Sequence, residues 1–328
     1  MKAVVCTAYG PPEVLQLRDV EKPTPKDREV LVRIHATAVT ASDTIVRGFS
    51  LPVWHPMGLM MGLVVGFGKP RNPILGMVLA GEVEAIGRET TQFKLGDRVF
   101  AFTGTRFGCY AEYTCLPEKG RARFPGDVPG VMALMPSGIS YPEAAAVVYG
   151  TALASYFLNK AAVQPGERVL IYGASGAIGT TALQLAKHHY GAQVTAVCSG
   201  SNTDLVLSLG ADRVLDYTTQ ASLPDGDRYD LVLDAVGKKK TSPLKLACQT
   251  ALTPTGRYLS VDEGRPALPV EHLLLVRDLI EAGKFRAVID RCYPLEQMVE
   301  AHRYVDAGHK KGNVVITVMG DSDSGRNS

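Results

Sequence analysis

Three glycines spaced three residues apart form a group that could bind a ligand. Gly173, Gly176 and Gly179 lie between the apolar run VLIYG and the amphipathic run TTALQLAK. Glycines at a strand-to-helix turn let the chain bend tightly, bring backbone N–H groups against a pyrophosphate, and let the helix pack closely on the strand. The helix N-terminus adds a partial positive charge that attracts phosphate. The pattern predicts a dinucleotide-binding loop formed by Gly173, Ala174, Ser175, Gly176, Ala177, Ile178 and Gly179.

The residues after the next predicted strand bear on which dinucleotide is bound. An acidic side chain there would bind the ribose 2′-hydroxyl and repel a 2′-phosphate. Residues 199–202 read SGSN and carry no charge, and Asp204 comes late enough to lie in the following helix. No Arg or Lys stands in this loop to bind a phosphate. We expect NADPH, contacted by Ser199 and Asn202, with NADH as the less favoured alternative.

The elements around the glycine loop indicate a parallel sheet. Between residues 140 and 262, apolar runs such as RVLIYGA, QVTAVCS and DLVLDAVG alternate with helical segments such as TTALQLAKHHY. Strands that are apolar throughout are typical of parallel sheets buried on both faces, and repeated alternation of strand and helix produces a doubly wound sheet. We predict a Rossmann dinucleotide-binding domain over residues 139–267.

Residues 1–135 have a different pattern. Short runs that alternate apolar and polar residues, among them KAVVCTAY and LAGEVEAIG, are separated by clusters of Gly and Pro. This is typical of an antiparallel, barrel-type β domain. We expect such a domain over residues 1–138, with residues 268–328 returning to it, and therefore an α/β protein of two domains.

Composition and charge exclude several classes of function. The 328 residues are 46% hydrophobic and 21% charged with a net charge of +2, so nucleic acid is not an expected partner. The chain does not open with a charged and then apolar leader, and its six cysteines form no C-x-x-C pair, which fits reduced thiols. We expect a cytoplasmic location.

One segment is apolar enough to be considered as a membrane element. Its apolar run, residues 57–67, is too short to span a bilayer, and Pro52, Pro56 and four nearby glycines argue against a helix. We expect no membrane span and a flexible, Met-rich loop over residues 51–68. Three roles remain open for it: a wall of a hydrophobic substrate pocket, an entry surface for a quinone or lipid, or ordinary core.

Two further motifs, taken with the glycine loop, resemble the medium-chain dehydrogenase/reductase superfamily. The run VTASDTIVRG resembles the segment that carries C-x-[ST]-D in alcohol dehydrogenases, with Thr40 at the zinc cysteine and with Ser42 and Asp43 retained. The run GMVLAG resembles G-H-E-x-x-G, with Met77 and Val78 in place of His and Glu. The resemblance is greatest to the zinc-independent quinone oxidoreductase, or ζ-crystallin-like, branch and extends over nearly the whole chain.

The resemblance implies that no zinc is bound. The third zinc-ligand position falls near Ala145, so all three catalytic ligands are replaced. The four-cysteine lobe that holds a structural zinc is missing too, because Cys109 and Cys115 stand alone.

The resemblance also implies a GroES-like fold for the N-terminal domain and a set of site residues. Thr40, Ser42 and Tyr149 are the expected contacts to substrate or nicotinamide. Asn202 stands where the NADPH-dependent branch often has Lys, whereas Tyr217 is retained. Further cofactor contacts are expected from Val236 and Gly237. A homodimer through an edge strand is a further implication, although the chain is short between residues 260 and 272.

A site without metal restricts the reaction. Reduction of a simple ketone creates a localised alkoxide, which zinc stabilises by several kcal/mol. Hydride addition to a quinone or an α,β-unsaturated carbonyl gives a delocalised anion that a few hydrogen bonds can stabilise. We therefore expect an NADPH-dependent, zinc-independent reductase of small hydrophobic carbonyl or quinone substrates. Two alternatives remain: a catalytically idle NADPH-binding sensor or structural protein on the same fold, and a zinc-type alcohol dehydrogenase relative acting on alcohols or aldehydes.

Overall fold

The computed structural model describes residues 1–49, 56–120, 128–238, 241–263 and 269–319. Contacts within the chain define two compact units. The first contains the residues up to Val148 together with those from Ile289 onwards, and the second runs from Tyr149 to Val288. The domain boundaries expected from the sequence, after residues 138 and 267, lie earlier in the chain than the boundaries of these units.

The first unit is built on a seven-stranded sheet. Its elements before the second unit are β1 (Lys2–Cys6), β2 (Leu15–Asp19), β3 (Glu29–Val39), α1 (Ala41–Gly48), α2 (Pro56–Val65), β4 (Val78–Ile86), β5 (Arg98–Phe102), β6 (Tyr113–Pro117), β7 (Val131–Leu134) and the start of α3 (Tyr141–Ala161). The second unit contains the rest of α3, then β8 (Arg168–Tyr172), α4 (Ala177–His188), β9 (Gln193–Cys198), α5 (Thr203–Ser208), β10 (Arg213–Asp216), β11 (Tyr229–Asp234), α6 (Pro243–Thr250), β12 (Leu252–Ser260) and α7 (Val270–Glu281). The chain then returns to the first unit with β13 (Ile289–Pro294), α8 (Met298–Asp306) and β14 (Asn313–Thr317).

The seven-stranded sheet has the order β13-β14-β3-β4-β5-β7, with β6 also paired to β3. Its pairs are antiparallel except β13 with β14, which run parallel. Alternate residues of β3, namely Val30, Val32 and Ile34, are fully buried and pack with Leu79 and Val99 from the next two strands. The period-two pattern of the sequence therefore corresponds to one buried face.

The five-stranded sheet of the second unit is parallel throughout and has the order β10-β9-β8-β11-β12. From β8 the chain first adds β9 and β10 on one side and then returns to add β11 and β12 on the other side. The switch point of the sheet therefore lies between β8 and β11. Ligands of such sheets bind beyond the carboxyl ends of the strands at this point. The predicted α/β fold, with a β unit and a parallel-sheet Rossmann unit, is confirmed.

Residues 56–65 correct the expectation of a flexible loop, because they form the helix α2. Pro56 is the first residue of that helix, where its fixed φ and missing N–H cost little. Each interior glycine costs about 1 kcal/mol relative to Ala, but Leu and Met favour the helix. Side chains on and just after α2 remain exposed, with 49% of Leu59, 53% of Leu63 and 47% of Phe67 accessible.

The expectation of a loop also covers residues 51–55, which lie outside the described part of the chain. Within the described part, none of the helices combines the length and the apolar character needed to cross a membrane.

Candidate cofactor and active site

The glycine loop joins β8 to α4 at the switch point of the parallel sheet. Gly173 has a φ of +82°, and a Cβ there would lie 2.4 Å from Cγ1 of Val236, so the position requires glycine. A Cβ on Gly179 would lie 2.1 Å from the carbonyl oxygen of Gly173. Gly176 differs from both, because a Cβ there would meet only the Gly173 oxygen, at 3.5 Å. Space is therefore open in front of Gly176, which is the N-cap residue of α4.

The structure brings three of the predicted cofactor residues together. The side-chain amide of Asn202 donates to Ser175 Oγ at 3.2 Å and to Ser199 Oγ at 3.0 Å. This amide thus joins the glycine loop to the loop after β9. The other amide atom, Oδ1, is buried and has no hydrogen-bond partner. Burial of a polar atom without a hydrogen-bond partner costs free energy of folding. This oxygen could therefore accept a hydrogen bond from a ligand group such as a sugar hydroxyl.

The remaining predicted cofactor residues lie near these loops. Ala174 and Ala177 are buried in the loop and Ile178 is partly exposed. The ring of Tyr217, 41% exposed, lies 6.2 Å from that of Tyr172 between centroids.

An acidic side chain lies beside residues 199–202 although their sequence contains none. Asp216 ends β10 and is paired in register with Cys198, the last residue of β9. Its Oδ2 would lie 2.7 Å from a Cβ on Gly200. Hydrogen bonds from the Thr218 hydroxyl and amide hold the pKa of this carboxyl below its usual range, so it is ionised. The sequence reasoning missed this group because it inspected only the segment that follows β9.

The turn of Val236 and Gly237, which follows β11, is hydrogen-bonded to one member of a buried ion pair. Asp234 Oδ1 accepts from the amides of Val236 and Gly237 at 3.1 and 3.2 Å. Its Oδ2 lies 2.9 Å from Nζ of Lys245, and the two side chains are only 2% and 5% exposed.

Further donors complete this arrangement. The Tyr258 and Ser260 hydroxyls donate to Asp234 Oδ2 at 3.1 and 3.2 Å, and Lys245 Nζ donates to the Gly237 carbonyl at 2.6 Å. Sequence reasoning missed Asp234 and Lys245. The only local sign of them was an Asp placed before a turn.

In the first unit, Thr40 and Asp43 form a reciprocal cap at the start of α1. The amide of Asp43 donates to Thr40 Oγ1 at 3.2 Å, while the Thr40 amide and hydroxyl donate to Asp43 Oδ2 at 2.8 and 2.6 Å. Such a capping box satisfies donors that the first turn of a helix leaves open. Asp43 is fully buried, and this burial raises the pKa of its carboxyl to about 6, against the lowering by Thr40, the Tyr110 hydroxyl and the Gly76 amide.

A chain of buried polar side chains continues behind this cap. Arg47 Nη1 lies 3.3 Å from Nδ1 of His302, and Nε2 of His302 lies 3.2 Å from the Tyr110 hydroxyl. Arg47 also donates to Asp306 Oδ2 at 2.7 Å, and this carboxylate reaches solvent. Burial, followed by the charge of Arg47, lowers the pKa of His302 to about 3. Burial raises the pKa of Tyr110 well above its usual range.

The motif that resembles G-H-E-x-x-G packs against the same tyrosine. Gly76 has a φ of +89°, and a Cβ there would lie 2.6 Å from the Tyr110 ring, so packing as well as conformation requires glycine. Met77 is 9% exposed, whereas Val78 and Ala145 are fully buried. Across the described residues, no three His, Cys, Asp or Glu side chains come together as metal ligands.

The three residues predicted to contact substrate fall in different units. Thr40 and Ser42 begin α1 in the first unit, whereas Tyr149 is the first residue of the second. Their contacts to substrate or nicotinamide stay predictions.

A β unit combined in one chain with a Rossmann unit, whose switch point carries a glycine loop, defines a dehydrogenase-type fold. Residues 26–126 match the alcohol dehydrogenase GroES-like domain, and residues 177–290 and 269–316 match two zinc-binding dehydrogenase families. The chain belongs to the medium-chain dehydrogenase/reductase superfamily, as the sequence motifs predicted.

Individual relatives agree with this assignment. The chain is 32% identical over 335 residues to a 2-methylene-furan-3-one reductase of Solanum lycopersicum, covering 96% of this chain and 79% of the relative. It is 30% identical to a chloroplastic NADPH-dependent alkenal/one oxidoreductase of Arabidopsis thaliana with the same coverages. The solved structure of a quinone oxidoreductase from Coxiella burnetii superimposes with a TM-score of 0.79 at 27% identity, covering 97% of this chain and 99% of that one.

Proposed function

We propose that the protein is an NADPH-dependent, zinc-independent reductase that transfers hydride to a quinone or an α,β-unsaturated carbonyl. The observation that carries the proposal is the open space in front of Gly176, at the N-terminus of α4 and at the switch point of the parallel sheet. The Gly173 and Gly179 positions are closed by packing, so Gly176 is the glycine of this loop that packing alone does not require.

The residues present fit a dinucleotide. Backbone amides at the start of α4 would bind the pyrophosphate, and the partnerless Oδ1 of Asn202 would accept from a ribose hydroxyl. The turn at Val236 and Gly237, held by Asp234, would lie beside the nicotinamide end. When bound, the nicotinamide supplies the hydride.

NADPH is the favoured form in this proposal, because Ser199 and Asn202 offer neutral hydrogen-bonding groups and the loop after β9 has no acid of its own. The carboxylate of Asp216, on the strand next to β9, would repel a 2′-phosphate. We therefore expect the preference for NADPH over NADH to be modest. Replacement of its charge, as in Asp216→Asn, should strengthen the preference.

The kind of substrate follows from the side chains at the positions where zinc-dependent relatives carry ligands. Thr40, Met77 and Ala145 offer one hydroxyl, one thioether and no anionic ligand. Acceptors whose reduction leaves a delocalised anion suit such a site. The relatives described above are a methylene-furanone reductase, an alkenal/one oxidoreductase and a quinone oxidoreductase, and the substrates in their names are of this class.

The surroundings of the reaction are also part of the proposal. All six cysteines are free thiols, which fits a reducing compartment such as the cytoplasm. The partners are small hydrophobic carbonyl or quinone molecules, and a homodimer through the edge strand β12 remains a proposal.

The test is a panel of quinones and enones, with oxidation of NADPH and of NADH followed by the loss of nicotinamide absorbance. Turnover by NADPH that exceeds turnover by NADH at low cofactor concentration supports the proposal. Tight binding of NADPH without oxidation by any acceptor would favour the idle sensor instead. Loss of activity in a chelator, with one zinc per chain by metal analysis, would favour the alcohol dehydrogenase alternative.

A further inference from the structure

The helix α2 is apolar on every side. Its sequence, PMGLMMGLVV, consists only of Pro, Met, Gly, Leu and Val. A helix of this kind is normally enclosed by protein or by lipid. One side of α2 is enclosed, because Gly58, Gly62 and Val65 are buried within the first unit.

The opposite side of α2 is exposed although it carries large apolar side chains. Leu59, Met60 and Leu63 share this face, since residues four apart are neighbours on a helix. The ring of Phe67, also exposed, folds back over the helix, because a Cβ on Gly62 would lie 2.1 Å from it. We call the side chains of Leu59, Met60, Leu63 and Phe67 the α2 patch. A contiguous apolar patch of this kind marks a surface that binds a partner or a membrane.

The patch is part of the folded first unit. The amide of Arg71 donates to the Val65 carbonyl at 2.7 Å, and the Tyr9 hydroxyl donates to the Gly66 carbonyl at 2.8 Å. The Tyr9 ring stacks on Phe49, the C-cap residue of α1, with 4.5 Å between centroids. These contacts hold the C-terminal end of α2 against the end of α1.

The charged side chains next to the patch are basic. Residues 44–81 contain no Asp or Glu, but they contain Arg47, Lys69 and Arg71. Arg47 is buried and paired with Asp306, whereas Lys69 and Arg71 are exposed just after α2. Apolar side chains beside exposed cations match an anionic lipid surface, where the former enter the acyl region and the latter bind headgroup phosphates.

A second copy of this chain fits the α2 patch less well. A symmetric contact would bring Lys69 and Arg71 of one copy close to the same residues of the other, and residues 44–81 offer no acid to offset that repulsion. The patch is also small, since a standard interface uses ~20–30 residues on each side.

We propose that the α2 patch, together with Lys69 and Arg71, attaches the protein to the surface of an anionic lipid bilayer. The exposed face of α2 lies among the headgroups and the outer acyl chains, while its buried face stays on the protein. With ten residues, α2 is too short to cross the bilayer. The attachment is weak and reversible, because stable anchoring takes two full lipid anchors or their equivalent.

The test is flotation of the purified protein with vesicles at millimolar lipid. One set of vesicles is phosphatidylcholine alone, and the other is phosphatidylcholine with an equal part of phosphatidylglycerol. The wild type should bind the anionic vesicles at least ~10-fold more tightly than the neutral ones, and added salt should weaken this binding. No binding to the anionic vesicles, or equal binding to both sets, overturns the proposal.

A first pair of variants tests the apolar part of the patch. Leu59→Ser combined with Leu63→Ser should lower binding to the anionic vesicles by roughly 10-fold or more. The matched control, Leu95→Ser combined with Leu246→Ser, changes two exposed leucines elsewhere and should bind like the wild type. Unfolding in urea confirms that both double variants fold. Equal binding by the two variants contradicts the proposal.

A second pair of variants tests the basic residues. Lys69→Gln combined with Arg71→Gln should lower binding to the anionic vesicles by roughly 10-fold or more and leave binding to the neutral ones unchanged. The control, Lys26→Gln combined with Lys284→Gln, removes the same charge from two other exposed positions. The same loss in both variants would mean that net charge alone attracts the protein, and it would overturn the role of this surface.

Sedimentation equilibrium without lipid tests the second copy as occupant. A protein that floats with the anionic vesicles supports the proposal. A dimer that does not float, and that the change of Leu59 and Leu63 converts to a monomer, assigns the α2 patch to self-association and overturns it. Because every readout is binding, failure here leaves the reductase function untouched, and a protein that floats but reduces no acceptor contradicts only that function.

Discussion

Replacing His302 by Gln should remove the loss of stability that this residue contributes on acidification. The pKa of His302 is lowered from its ordinary 6.5 to about 3 in the folded state. Between these pH values His302 is protonated in the unfolded chain but not in the folded chain. The contribution of His302 to the free energy of unfolding is therefore fully present above pH 6.5 and is lost as pH falls toward 3. One pKa unit corresponds to ~1.4 kcal/mol, so the full loss is on the order of 5 kcal/mol, of which ~2 kcal/mol falls between pH 6.5 and pH 5.

The assay is urea unfolding followed by circular dichroism at pH 5, 6 and 7. His302→Gln should be less stable than wild type at pH 7, since a buried partner of Arg47 and Tyr110 is replaced, but the deficit should shrink by ~2 kcal/mol on going to pH 5. His309→Gln removes an exposed imidazole and controls for the loss of a histidine as such. A deficit that stays constant from pH 7 to pH 5 would refute the reasoning, because it would mean that His302 is not held neutral in the folded protein.

Asp43 contributes with the opposite sign in an overlapping window. Its folded pKa is raised from 3.8 to about 6, so its contribution is greatest below pH 3.8 and declines by ~3 kcal/mol as pH rises to 6. In wild type the two groups therefore nearly cancel between pH 4 and pH 6. Asp43→Asn should expose the effect of His302, and its stability relative to wild type should fall on acidification.

The remaining predictions concern the cofactor unit and the metal. Gly176→Val should abolish NADPH binding, measured by calorimetry, with an unchanged circular dichroism spectrum, whereas Gly179→Val should fail to fold because its Cβ meets backbone at 2.1 Å. Ser199→Asp should turn the modest NADPH preference, ~1 kcal/mol, into an NADH preference, and equal binding of both cofactors by wild type would count against this assignment. Lys245→Met should destabilise the protein by about 3–5 kcal/mol, because Asp234 would be left as a buried charge without its partner; a denaturation midpoint equal to wild type would contradict this. Purified protein should hold no stoichiometric zinc and should keep full activity in a chelator.

Features defined by neighbouring residues were predictable from the sequence. The strand, turn and helix around Gly173, Gly176 and Gly179 are written in one continuous segment, so the loop could be placed at the end of β8. The doubly wound parallel sheet followed from the alternation of strands and helices. The same local reasoning failed for α2, because single Pro and Gly residues were given more weight than their position at the helix start or among good helix formers.

Features defined by residues far apart in the sequence were not predictable in this way. Asp216 lies beside Gly200 because β10 pairs with β9, a relation that no single segment shows. Arg47 and His302 are 255 positions apart, and His302 lies in a helix whose sequence carries no motif. Hydrophobic periodicity reports which face of an element is buried, but it does not report which polar side chains meet across that face.

The long separation in sequence between Arg47 and His302 has a consequence for folding during synthesis on the ribosome. Domains fold as units during synthesis, which proceeds at ~5–20 residues per second, so roughly 10–50 s pass between the appearance of Arg47 and that of His302 and Asp306. The parallel-sheet unit, which ends at Val288, is complete before either partner exists. A nascent chain therefore passes through a stage in which its parallel-sheet unit is complete while α1 still lacks the buried partners of Arg47, which are made later.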